Sequence, residues 1–91
     1  MNLKPYKRLM VNVLQSFIET IEKVDNKNLT VYCKNNPRTK NVIPNMLIKR
    51  CKEHCNLMTS KEWEKLTLAE QKTIAKHVTK DMQTLKDLIT G

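Results

Sequence analysis

Apolar residues recur at steps of three and four along three stretches of this chain, and each stretch reads as an amphipathic helix. In the first, residues 5–24, Tyr6, Leu9, Met10, Val13, Leu14, Phe17, Ile18, Ile21 and Val24 keep that step. Asn12, Gln15, Ser16, Glu19, Glu22 and Lys23 take the other side. Pro5 suits the first helical position, where a backbone donor is not needed. In the second, residues 44–57, Pro44 stands near the start and Leu47, Ile48, Cys51, Cys55 and Met58 share one side. The third stretch, Thr59 to Gly91, holds the only tryptophan, the only glycine and the longest unbroken helical pattern.

Two start signals divide that last stretch. Thr59-Ser60-Lys61-Glu62 and Thr67-Leu68-Ala69-Glu70 both fit the capping box. In each, the threonine hydroxyl accepts from the N–H three residues on and the glutamate reaches back. They predict a short helix from about Ser60 to Leu66 and a long one from Leu68 to about Ile89. Ile74, Val78, Met82, Leu85 and Ile89 form the apolar stripe of the long helix, with Lys72, Lys76, Lys80 and Lys86 largely off it. Gly91 suits a left-handed helix cap, although it is also the last residue.

Residues 25–42 break the helical pattern. Asp25-Asn26-Lys27-Asn28 has turn chemistry. Leu29-Thr30-Val31-Tyr32-Cys33 alternates and contains β-branched residues, which suits an extended segment. It has no evident partner strand, so a buried loop or a short helix competes. Residues 34–41 carry three cations and no acid and read as an exposed loop. The expectation is a single all-α domain, residues 1–91, of three to four helices. Its core would hold Leu14, Phe17, Ile21, Leu47, Cys51, Trp63, Leu66, Ile74, Val78 and Leu85. One glycine and three prolines are too few turn-formers for an all-β fold. A chain of 91 residues buries one modest core and leaves little room for a large enclosed pocket.

Charge turns the reading toward partners. Seventeen Lys plus Arg against nine Asp plus Glu give +8, which favours a polyanion: nucleic acid, an acidic protein or a lipid surface. A lysine-rich soluble protein without such a partner has the same balance. Fourteen of the seventeen cations are lysines, which predicts phosphate contact rather than base reading, for which arginine supplies the commonest contact. Lys4, Lys7 and Arg8 crowd the positive end of the first helix, and Glu19, Glu22 and Asp25 crowd its negative end. Each such charge forgoes roughly 0.3–1 kcal/mol. A basic helix start held at that cost points to a contact, unless the charges are simply solvated and screened. Arg38 and Lys40 in the acid-free loop, and Lys49 and Arg50 on the next helix, extend the candidate phosphate contacts.

Other chemistry is weakly indicated. Cys51 and Cys55 lie one turn apart beside His54, and Cys33 and His77 would complete four zinc ligands. The spacing matches no common zinc pattern, and cysteines on an apolar helix side are ordinarily core. A Cys–His nucleophile pair lacks a glycine-rich oxyanion turn. No enzyme activity, metal or cofactor is expected. No apolar run is long enough for a membrane span, and the N-terminus lacks a continuous signal-peptide core. Three cysteines without an export signal read as reduced thiols of an intracellular protein.

Trp63-Glu64-Lys65-Leu66-Thr67-x-x-Glu70, followed by Ile74, Val78, Met82 and Leu85, resembles the HMG box from its core tryptophan through its long third helix. Lys7-Arg8-Leu9-Met10 resembles that family's basic entry strand and wedge residue, and Asn36-Pro37-Arg38 its turn after helix 1. The chain departs from the family in three places. Val13 and Phe17 replace adjacent aromatic residues, Leu9 replaces a proline, and the gaps on both sides of the Pro37 turn are longer. The resemblance implies minor-groove binding that bends DNA, with Met10 or Leu9 as wedge and Lys4, Lys7, Arg8 and Arg38 on the backbone.

The expected function is therefore architectural or packaging binding of double-stranded DNA without sequence preference, through Lys4, Lys7, Arg8, Met10, Arg38, Lys40, Lys49 and Arg50. The protein would be nuclear, or associated with a nucleoid or virion. The alternative is a helical assembly or adaptor protein that binds a protein partner, or a second copy, through the broad apolar face of the first helix. Neutralising about five phosphates predicts a log–log salt slope of roughly −4 to −5 in a duplex titration.

Overall fold

The three apolar stripes form the three long helices. A computed structural model describes residues 4–90, with side chains from Tyr6 onward. It places α1 at Lys4–Glu22, α2 at Asn26–Asn35, α3 at Pro44–Met58, α4 at Lys61–Lys65 and α5 at Leu68–Thr90. The chain is all-α, and no strand occurs among the described residues. The proposed Gly91 cap lies outside them. Five helices stand where three to four were expected, and α2 makes the difference. The 29–33 segment is helical, not extended. Asp25 caps α2 by accepting from the Lys27 N–H at 2.8 Å, and Leu29 and Cys33, one turn apart, are both buried. That cap and the paired burial outweigh the β-branched Thr30 and Val31, and Val31 simply faces solvent.

Side chains close the start of α2, the end of α3 and the start of α5, and no described residue has positive φ. The second capping box forms as expected: Thr67 N donates to Glu70 Oε1 at 2.9 Å, and Glu70 N to Thr67 Oγ1 at 3.2 Å. Those hydrogen bonds, the backbone one first, hold the Glu70 carboxyl below the usual carboxylate range. The first box does not form. Thr59 ends α3 instead, its hydroxyl donating to the Cys55 carbonyl at 2.8 Å, while the Ser60 hydroxyl donates to the Leu57 carbonyl at 2.7 Å. The hydroxyls that would have opened α4 are taken up by the last carbonyls of α3, which have no partner within their own helix.

The core draws on every helix. Val11, Leu14, Ile18 and Ile21 come from α1, and Leu29 and Cys33 from α2. Leu47, Cys51, Cys55 and Met58 come from α3, Trp63 from α4, and Val78, Leu85 and Leu88 from α5. Phe17, Leu66 and Ile74, expected inside, sit half-buried at its margin. The buried line of α5 runs through Val78, Asp81, Leu85 and Leu88, with Met82 and Ile89 flanking it. This line is rotated from the expected stripe, and α5 packs mainly on α1 and α3, with a smaller contact to α2.

Antiparallel packing orients the domain. The Gln15 end of α1 shares a cleft with Asn56, and its Glu22 end shares one with Asn45, so α1 and α3 run in opposite directions. His54 likewise shares a cleft with His77, and Met46 one with Thr84, so α3 opposes α5. Lys7 reaches Glu64 of α4 at 3.6 Å and Lys52 reaches Glu22 at 3.1 Å, which answers part of the charge mismatch along α1.

Two substitutions test this account by urea denaturation. Thr67→Ala should cost about 1 kcal/mol through loss of the α5 cap. Leu85→Ala, at a fully buried site, should cost about 2–5 kcal/mol.

Candidate functional site

A carboxylate lies within the buried line of α5. Asp81 falls where the step from Val78 to Leu85 calls for an apolar side chain, and it is nearly buried. A buried carboxylate needs partners, and α3 supplies two at i and i+4. Arg50 Nε donates to Asp81 Oδ2 at 2.8 Å and Arg50 Nη2 to Oδ1 at 3.0 Å, a bidentate fork. His54 Nε2 stands 3.0 Å from Oδ2. Burial alone would push the Asp81 carboxyl up. The hydrogen bonds from Arg50 and His54, with their charges, outweigh it and hold the group below the usual carboxylate range. Donating those hydrogen bonds to Asp81 raises Arg50 in turn.

Arg50 and Asp81 stand between two clefts on the α3–α5 side. One, of about 320 Å³, is lined by Arg38, Met46, Arg50, Lys80, Asp81 and Thr84 among others. The other, of about 310 Å³, is lined by Arg50, His54, His77, Lys80 and Asp81. On α5, His77, Lys80, Asp81 and Thr84 follow the three- and four-residue step, so one face carries them all.

The loop that brings Arg38 here is held by its own hydrogen bonds. Asn36 Oδ1 accepts from the Arg38 N–H at 3.0 Å, and the Asn36 carbonyl accepts from the Thr39 N–H at 3.0 Å. Thr39 is buried, with its hydroxyl donating to the Cys33 carbonyl at 3.3 Å. The expected exposed loop is thus exposed only in part: Thr39 pins it from beneath while Arg38 and Lys40 face outward. Among the described residues, no carboxylate lies within ion-pairing distance of Arg38, Lys40 or Lys80.

The expected contacts divide into groups. Arg38 and Arg50 come together, with Lys40 in the same loop. Lys49 lies in a separate cleft between α1, α2 and α3, together with Lys52. Lys7 and Arg8 lie at the opposite end of the domain, beside α4, roughly the 22 Å length of α3 from the loop. The Lys4 side chain lies outside the described ones. Lys7-Arg8-Leu9-Met10 is helical throughout. Met10 packs against the core, whereas Leu9 is 59% exposed. Asp81 was not among the expected site residues, whereas Lys80 stood with Lys72 and Lys76 as the alternative DNA-contacting face should Lys7 and Arg8 not serve. The expected stripe of α5 passed through Met82 and so gave Asp81 no role.

The cysteines are core residues, all three buried with free thiols. Burial, and then the Asp81 charge, push the Cys51 thiol up to about 12, and burial raises Cys55 as well. Both stay protonated at neutral pH. Among the described residues, no group of three His, Cys, Asp or Glu side chains is placed to hold a metal ion, and no helix is long and apolar enough to cross a membrane. No family model, curated protein or solved structure matches the chain.

Asp81 gives the domain an acid-sensitive joint. Its folded carboxyl ionises below its unfolded counterpart, so its stabilisation is complete above about pH 4 and fades as pH falls through the lower folded value. Asp81→Asn should therefore cost about 1–2 kcal/mol at neutral pH, a modest figure because Arg50 is half-exposed. The gap between the two proteins in urea denaturation should close on acidification.

Proposed function

We propose that this protein binds double-stranded DNA through phosphate contacts, with little sequence preference, along the α3–α5 face. The observation that carries the reading is convergence. Arg38, Arg50 and Lys80 come from three separate segments and line one groove, whose single carboxylate already holds Arg50 and His54. Lys72 and Lys76 continue from Lys80 at four-residue steps, roughly 6 Å apart along α5, and are exposed. Lys40 stands in the Arg38 loop. A strip of exposed cations with a fixed guanidinium at its centre suits a phosphate backbone, and the small number of arginines suits contact without base reading.

The assembly or adaptor reading has less surface to use. From Met10 onward most of the apolar face of α1 is packed against α3 and α5, and the large apolar side chains it leaves exposed near its start are Tyr6 and Leu9.

Titration of a fluorescent duplex at several salt concentrations tests the proposal. Contacts from Arg38, Lys40, Arg50 and Lys80 predict a slope of roughly −3 to −4. Arg38→Ala and Lys80→Ala should each flatten that slope by about 1 and weaken binding to different sequences equally. Replacing Lys7 and Arg8 together should have a smaller effect. Absence of binding at about 50 mM salt would rule out the reading.

A further inference from the structure

The smaller cleft, on the His54 side of Arg50, differs from the surrounding surface. All five side chains that line it are ionisable: Arg50 and His54 from α3, and His77, Lys80 and Asp81 from α5. Asp81 is the only acid, and both its oxygens are occupied. Oδ1 accepts from Arg50 Nη2, while Oδ2 accepts from Arg50 Nε and faces His54 Nε2. The fork uses Nε and one N–H of Nη2, so the Nη1 donors and the second Nη2 donor of Arg50 stay available. Lys80 Nζ and the ring of exposed His77 add donors from α5.

We infer that this cleft is a binding site for a phosphomonoester, a terminal phosphate group rather than a phosphate within a backbone. A terminal phosphate presents three acceptor oxygens and a charge of about −1.5 to −2. A backbone phosphodiester has two free oxygens and one charge. Arg50, Lys80 and His77 place three separate donor groups on the lining of the cleft, one for each oxygen of a terminal phosphate. Asp81 acts as a positioning residue: it fixes the plane of the guanidinium and so the direction of its free donors. The site goes beyond duplex binding, because it would also accept a nucleoside monophosphate, and on DNA it would favour a 5′-phosphorylated end.

The test uses the full chain and inorganic phosphate, with the His54 and His77 ring resonances followed by NMR and chloride at matched ionic strength as control. Saturable movement of both rings with phosphate, and not with chloride, is expected. Lys80→Ala and His77→Ala should each weaken phosphate binding about tenfold, the loss of one charge-assisted hydrogen bond. His77→Gln, which keeps a donor, should recover part of the loss, and Lys86→Ala, elsewhere on α5, should change nothing. No saturable movement, or equal movement in the Lys80→Ala and His77→Ala proteins, overturns the assignment. Two duplexes, one 5′-phosphorylated and one with 5′-hydroxyl ends, then separate the sources. Tighter binding of the phosphorylated duplex assigns the site to nucleic-acid ends. Equal binding, with phosphate still saturating the rings, assigns it to a free phosphomonoester. Failure of both duplexes to bind removes the duplex reading and leaves the phosphate result standing.

Discussion

Asp81 is the constraint on which the α3–α5 side depends. Apolar contacts such as those of Leu47 and Leu85 tolerate small slips, because burial is not directional. A carboxylate does not. If α3 moved by a turn, Asp81 would lose either the Arg50 fork or His54 and leave an uncompensated charge in a nearly buried position. The pair therefore sets the register between two antiparallel helices whose remaining contacts are mostly greasy. Apolar residues in place of the whole Asp81, Arg50 and His54 group would be as stable or more so by the usual balance for buried ion pairs. What the acid supplies is a fixed height for α3 against α5, and with it the placement of Arg50 and Lys80 at the rims of both clefts.

Much of the architecture was legible in the sequence, for identifiable reasons. The stripes of α1, α3 and α5 follow from helix geometry, and the Thr67–Glu70 box closes within four residues, so neither needs tertiary information. The helix over 26–35 was obscured because Thr30 and Val31 mimic a strand signal. The local evidence for it, the Asp25 cap, was read as turn chemistry. Thr59 and Glu62 show how one motif can serve two ends: where one helix stops just before another starts, the threonine hydroxyl is a donor to the old helix as readily as an acceptor for the new one. The resemblance to the HMG box rests on residues that are here a buried tryptophan and a formed capping box, features that any long helix joined to a core can share.

The candidate site was only half legible. Arg38 and Arg50 were visible as cations, but their meeting depends on Thr39 folding the loop back onto α2, a contact that a single hydroxyl makes with the Cys33 carbonyl. The separation of Lys7 and Arg8 from this group is a matter of distance through the folded domain, which charge counting along the chain cannot see. Asp81 was missed because its importance lies in what faces it from α3.

The closing of helices by hydroxyls has a consequence for the unfolded chain. With its single glycine at the last position, this protein turns its corners using threonine, serine, asparagine and proline. Each of these restricts the disordered backbone more than glycine does, so fewer conformations are lost on folding, a saving of roughly 0.4–1 kcal/mol per avoided glycine. A small basic domain that repels itself through its net charge gains part of its stability from joints that were never very free.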